Sequence, residues 1–254
     1  MTLTLTFWGT RGSVPSPGPH TAYFGGNTPC VELRTDTGAL MILDGGTGIR
    51  HLGRSLLERA GGKPLVADIL LSHAHWDHIQ GLPFFAPLFA AGHEFTFRAS
   101  PDALGRVEAA LRAQMTDAVF PVTFDAFRAQ VHFRALNEVE RGSGYAMKTV
   151  ALRHPGGATG YRITDGIPGA PAFVYISDNE LGNADGYSSA PGWRDELVSF
   201  VRGASLLVHD AMSTAVEDAR HRGWGHSRSE NGGAHGPDPG RARLGRVPPP
   251  PPPH

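Results

Sequence analysis

The chain has 254 residues, 40% of them hydrophobic and 19% charged, enough to bury a full core as one large domain or two small ones. Its 23 basic and 24 acidic residues leave a net charge of -1, which excludes a global field drawing in nucleic acid or a membrane surface. The single cysteine, Cys30, excludes an internal disulfide and argues against a cysteine-based zinc site.

Alternation of polar and apolar residues predicts a first strand at Leu3–Phe7 rather than a signal peptide, and no stretch reaches membrane-spanning length. A soluble, cytoplasmic protein is the expectation. Strands follow at Cys30–Arg34 and Ala39–Leu43, separated by Gly- and Pro-rich loops. Ile49, Leu52, Leu56 and Ala60 share one helical face, and Gly61-Gly62 stops that helix. A buried strand at Val66–Leu71 is followed by a short apolar helix or loop at Pro83–Ala91 and a strand at Glu94–Arg98. Ser100-Pro101 is an N-cap and first-turn pair for a helix whose stripe runs through Leu104, Val107, Leu111 and Met115. Further strands are predicted at Gln130–Ala135, Met147–Arg153, Gly160–Ile163, Phe173–Ile176 and Ser205–Val208, with a helix marked by Trp193, Leu197 and Val201. Strand blocks punctuated by helices predict a layered α/β sandwich over residues 1–227. Residues 228–254 differ in kind: rich in Gly and Pro and ending in Pro248–Pro253, they read as a disordered or polyproline-II tail.

The chemistry concentrates in His73-Ala-His75-Trp-Asp77-His78, directly after a buried strand. Imidazole and carboxylate donors together suit Zn²⁺ and tolerate Mn²⁺ or Fe²⁺. In a tight loop, His73 and His75 point to one side while Asp77 and His78 turn toward a neighbouring position. Two metals about 3.5–4 Å apart then share a bridging hydroxide, a nucleophile available at neutral pH. Three histidines and an aspartate in six residues set this apart from ordinary surface histidines. His154, before Pro-Gly-Gly, faces a cleft or simply ends a strand. Asp178 is a working strand-end carboxylate or a turn former. Asp44, followed by glycines, orients a ligand imidazole or caps a turn.

Together, Phe7-Trp-Gly-Thr-Arg-Gly-Ser-Val14, Gly25-Gly-Asn-Thr28, Leu43-Asp-Gly-Gly-Thr-Gly48, the His73–His78 cluster, His154-Pro-Gly-Gly, Ser177-Asp178 and Gly223-Trp-Gly-His-Ser227 resemble the metallo-β-lactamase superfamily, in its phosphodiesterase and ribonuclease Z-like branch. The resemblance is to a bacterial cyclic-nucleotide-phosphodiesterase-like subgroup. It implies a four-layer αββα sandwich and two divalent ions, zinc first. It implies a first metal on His73, His75 and His154, a second on Asp77 and His78, and Asp178 bridging them. It also implies that His226, polarised by Asp210, protonates the leaving oxygen, so that Asp77, Asp210 and His226 are the catalytic candidates. Arg11 is either a contact for an anionic substrate or a structural loop arginine.

Relatives of this type continue past the Gly-His-Ser motif with a helix and a final strand that ends in a metal-binding histidine. Here both elements look missing or scrambled: His235 follows His226 too closely, and His254 lies beyond six prolines. One explanation for the break is a reading-frame shift, since histidine codons read out of register become proline codons. Losing both elements exposes an apolar face, which predicts aggregation or a homodimer. The leading expectation is a dinuclear hydrolase cleaving a phosphodiester bond in a cyclic nucleotide or small nucleotide-type substrate, with nucleic acid less favoured and no membrane partner. The alternatives are a thioester or lactone hydrolase on the same fold, and a non-catalytic metal-binding remnant.

Overall fold

The computed structural model describes residues 3–167, 169–182, 190–212, 223–227 and 243–246. The chain divides into two compact units, Met1–Asn137 and Glu138–His254.

The first unit is built on strands β1 (Leu3–Gly9), β2 (Cys30–Thr35) and β3 (Leu40–Leu43), helix α1 (Ile49–Ala60), strand β4 (Val66–Leu70), the single-turn helix α2 (Trp76–Ile79), strand β5 (Glu94–Ala99), helix α3 (Pro101–Ala113) and strand β6 (Gln130–Ala135). The six strands form one sheet in chain order. β1, β2 and β3 pair antiparallel, β2 and β3 through a short turn and β1 and β2 through a long loop, whereas β3, β4, β5 and β6 run parallel. Parallel neighbours need crossovers, supplied by α1 between β3 and β4, by α2 and the short turns after it between β4 and β5, and by α3 between β5 and β6. β3 is buried along its whole length, as continuous apolar strands covered on both faces are.

The predicted stripe of α1 is present in Ile49, Leu52 and Leu56, all fully buried, while Ala60 is only half-buried. Gly61 adopts the left-handed conformation and donates its N–H to Leu57, ending the helix. The Pro83–Ala91 stretch forms two short 3₁₀ turns, Leu82–Phe84 and Ala86–Phe89, that bury Leu82, Phe85 and Leu88 in the core shared with α1 and β5. The α2 turn was not predicted, because four residues are too few for a helical period to register.

The second unit carries strands β7 (Val139–Gly142), β8 (Tyr145–Leu152), β9 (Ala158–Thr164) and β10 (Ala172–Ile176), helix α4 (Trp193–Val201), and strands β11 (Ala204–His209) and β12 (Arg243–Arg246). Its sheet has the order β12-β11-β10-β9-β8-β7. β7 to β10 form an antiparallel meander, and β10, β11 and β12 are parallel. α4 packs Trp193 and Leu197 into a core with Leu152, Val174 and Ile176, and the Trp193 indole donates to the Ala151 carbonyl at 2.8 Å.

β7 was not predicted: its Val-Glu-Arg-Gly sequence has one apolar residue and borrows its strand character from pairing with β8. The expected absence of a final strand is corrected. Arg243–Arg246 pairs with β11, Leu206 opposite Arg243 through His209 opposite Arg246. Strand pairing uses backbone groups, so a polar Arg-Leu-Gly-Arg segment can extend a sheet edge that composition alone does not reveal. The expected loss of a preceding helix, and the rest of the predicted tail, lie outside the described residues. No described helix is long and apolar enough to cross a membrane.

Two outcomes follow. Gly46 has no room for a side chain, since a Cβ there would overlap the Asp77 carbonyl oxygen and the Thr28 backbone. Gly46→Ala is expected to destabilise the chain by about 1–3 kcal/mol, seen as a lower urea midpoint at an unchanged slope. Cys30 is fully buried, and burial pushes its thiol pKa up, with the negative charges of Asp44 and Glu32 adding to the rise. Ellman's reagent is expected to titrate no thiol in native protein and one after denaturation.

Candidate metal centre

In the first unit the donors hang on one buried carboxylate. β3 ends at Leu43, and Asp44 turns the chain in the left-handed region at φ 59°, a conformation aspartate tolerates better than most side chains. The Asp44 carboxylate is fully buried. It accepts the Ser72 backbone N–H at 2.8 Å, the Ser72 hydroxyl at 2.9 and 3.0 Å, and His78 Nδ1 at 2.9 Å. Of the two roles weighed for Asp44, orientation of an imidazole is the one observed.

Tautomers follow from these partners. A carboxylate only accepts, so His78 Nδ1 carries a proton, and in the neutral ring Nε2 carries the lone pair. Ser72 has one hydroxyl proton; with that proton on Asp44, its oxygen accepts from His73 Nδ1 at 3.0 Å. His73 then also presents Nε2. The His73 ring stands 4.5 Å from His75 and 4.2 Å from His78, centroid to centroid. His75 is exposed and forms the N-cap of α2, which carries Asp77 and His78. Asp77 Oδ2 accepts the backbone N–H of Ser13 at 2.9 Å and lies 3.4 Å from His78 Nε2. Ser13 itself is at φ 63°. Arg11, two residues before it, is buried, and burial lowers its pKa; its Nε has no hydrogen-bond partner among the described residues.

In the second unit the donors lie past the ends of strands. β10 and β11 are parallel, so Asp178 and Asp210, just beyond Ile176 and His209, emerge at the same edge of the sheet. His154 follows the end of β8. Its Nδ1 meets the Gly225 carbonyl at 2.9 Å, which fixes a proton on Nδ1 and, in the neutral ring, leaves the lone pair on Nε2. That Nε2 lies 3.5 Å from Asp178 Oδ2. Asp210 Oδ2 accepts His226 Nδ1 at 2.8 Å and the Ser227 N–H at 3.2 Å, while Oδ1 accepts the Met212 N–H at 2.9 Å. Asp178, Asp210 and His226 offer ligand atoms all within 4.8 Å of one another.

Sequence reasoning missed Glu180. It is buried, and its two carboxylate oxygens accept the N–H groups of Gly223 at 3.1 Å and Gly225 at 2.9 Å. It therefore clamps the loop whose Gly225 carbonyl orients His154. Ser227 adds a second tie, donating to the Asn179 carbonyl at 2.6 Å and accepting the Leu181 N–H at 3.2 Å. Gly225 must be glycine: at φ 85° a Cβ would overlap the His154 ring. The only local signal for Glu180 is a second carboxylate two residues after a strand-end aspartate.

The donors fit a divalent cation on chemical grounds. In each unit an imidazole Nε2 faces a carboxylate oxygen, His78 to Asp77 and His154 to Asp178, with Nδ1 already held by another acceptor. Either a proton or a metal cation between the two atoms holds such a pair together, and nitrogen with oxygen donors suits zinc, manganese or iron.

Comparison with known proteins agrees with this chemistry. The family model for the β-lactamase superfamily domain matches residues 41–234. Ribonuclease BN from Enterobacter sp. (strain 638) is 26% identical over 262 residues, covering 88% of this chain and 81% of that protein. Ribonuclease Z from Halobacterium salinarum is 25% identical over 267 residues, covering 89% and 80%. A solved diphosphatase of the PhnP family superposes with a TM-score of 0.60 at 23% identity, covering 92% of this chain and 81% of its own. The chain belongs to the β-lactamase superfamily, with the mixed α/β metallo-β-lactamase fold and two sheets, in the ribonuclease Z and phosphodiesterase branch of its metal-dependent hydrolases.

Proposed function

We propose that this chain is a metal-dependent phosphodiesterase that cleaves a cyclic nucleotide or another small nucleotide-type phosphodiester. The observation that carries this reading is the pair of imidazole Nε2-to-carboxylate contacts, His78 with Asp77 and His154 with Asp178, each with its Nδ1 held by a separate acceptor. His73, His75 and His154 would hold one divalent ion, Asp77 and His78 a second, and Asp178 would be shared; zinc suits the donor set best. The ions, when bound, supply a Lewis acid for the phosphoryl oxygens and an activated water.

The chain's own groups then do the rest. Asp44 keeps His78, and through Ser72 also His73, in the tautomer that presents Nε2. Glu180 keeps the Gly225 carbonyl against His154. His226 donates Nδ1–H to Asp210, so when Nε2 is also protonated the imidazolium is stabilised by a carboxylate at 2.8 Å. Its Nε2 proton passes to the oxygen of the breaking P–O bond, leaving a neutral ring and a neutral alcohol. This favours phosphodiesters over lactones or thioesters. The net charge of -1 supports a small substrate over a long polyanion held by a general field. The ribonuclease names of its relatives support RNA as the second reading.

Purified protein is expected to contain about two divalent ions per chain and to turn over bis-p-nitrophenyl phosphate, with no activity on lactones or thioesters. Cyclic nucleotides and short RNA in the same panel separate the two substrate readings. His75→Ala is expected to lower turnover at least about 100-fold; full activity in that variant rules out the ligand assignment. Glu180→Gln keeps size and one acceptor but loses charge-assisted bonds to the loop. It is expected to weaken metal binding or activity about 10–100-fold with little change in melting temperature, measured by chelator competition and calorimetry. A melting change alone, with metal affinity intact, would mean that Glu180 only stabilises the loop.

A further inference from the structure

The second unit holds a cavity of about 560 Å³ that uses none of the candidate metal ligands. Its walls come from β7, β8 and β9, from α4, and from the turn after β9. Three cations line it, Arg141, Lys148 and Arg162, against one carboxylate, Glu196.

The sheet register makes this arrangement costly. Lys148 on β8 stands directly opposite Arg162 on β9, and Arg141 lies on β7, two positions along from Val139, the partner of Lys148. Like charges directly opposite on neighbouring strands destabilise a sheet. Among the described residues none of the three makes an ion pair, and Arg162 spends one N–H on the Phe200 carbonyl at 2.8 Å near the end of α4. Capping a helix terminus accounts for Arg162. It does not account for a lysine placed opposite it, nor for Arg141 on the same face. Burial also lowers the Arg162 pKa. The same cavity has apolar walls in Phe200, Val139 and the exposed Ile167.

We propose that this cavity is a binding site for a phosphorylated small molecule of nucleotide size. Its phosphates sit on Lys148, Arg141 and Arg162, and its ring lies against Phe200 and Ile167. The volume falls within the roughly 300–1,000 Å³ of small-ligand sites, which pair apolar walls with a few placed polar groups. The proposal does not depend on the phosphodiesterase reading.

The test is calorimetric titration of ADP, pyrophosphate and adenosine into the full chain carrying His75→Ala, in the presence of a chelator, which disables the candidate metal centre. Saturable ADP binding is expected, weakened by added salt, and at least about tenfold weaker after Lys148→Glu or Arg141→Glu. Both positions are exposed, and a melting curve checks that each variant is folded. Adenosine is expected to bind at least about tenfold more weakly than ADP, and pyrophosphate more weakly than ADP. Absence of saturable binding by ADP and pyrophosphate overturns the proposal. So does unchanged ADP affinity in either folded variant, or adenosine binding as tightly as ADP.

Discussion

The buried carboxylate of Asp44 is the interaction on which the first unit's chemistry depends. It sits at a strained turn between β3 and α1, out of water, and holds three groups of the Ser72–His78 segment. An isolated buried charge is costly, so its bonds to Ser72 and His78 are structural necessities as well as aids to function. They also select which nitrogen of each imidazole carries the proton. An apolar side chain at this position would leave His78 free to rotate and the Ser72 N–H without its acceptor. Positive φ, burial and carboxylate chemistry are thus one requirement, met by one residue.

The second unit solves the same problem with different parts. Glu180 and Asp210 are both buried, and between them they bind the N–H groups of Gly223, Gly225 and Ser227 together with the His226 ring. Two negative charges therefore gather a loop of five described residues onto the ends of β8, β10 and β11. The loop in turn supplies the carbonyl that orients His154. Orientation by a neighbour matters here because a histidine that can ionise, flip or tautomerise is a poor ligand. Among the candidate site histidines, His73, His78, His154 and His226 each have Nδ1 tied to a neighbour in this way.

Strand topology explains why carboxylates were available at these places. The parallel pairs β3–β4 and β10–β11 end their strands side by side, so Asp44 lies near Ser72 and Asp178 near Asp210. Antiparallel pairing elsewhere has a different use: in β7, β8 and β9 it aligns alternate residues across three strands, which is how three cations came to share one concave face. The same sheet therefore offers a donor-rich edge and, on another part of its surface, a cationic cavity.

By itself the sequence determined the donor inventory and most of the elements. The spacing of His73, His75, Asp77 and His78 after an apolar strand is local, as are the α1 stripe, its Gly61 stop and the alternation within β1. Local periodicity and turn chemistry carry that information. Tertiary structure alone decided which acceptor each ring faces, since Asp44 lies 34 positions from His78 and Gly225 lies 71 from His154. It also decided the role of Glu180, the pairing of β12 and the opposition of Lys148 to Arg162. These depend on hydrogen bonds and register between segments far apart in the chain. Such contacts are set by how the segments pack, and no window of neighbouring residues encodes them.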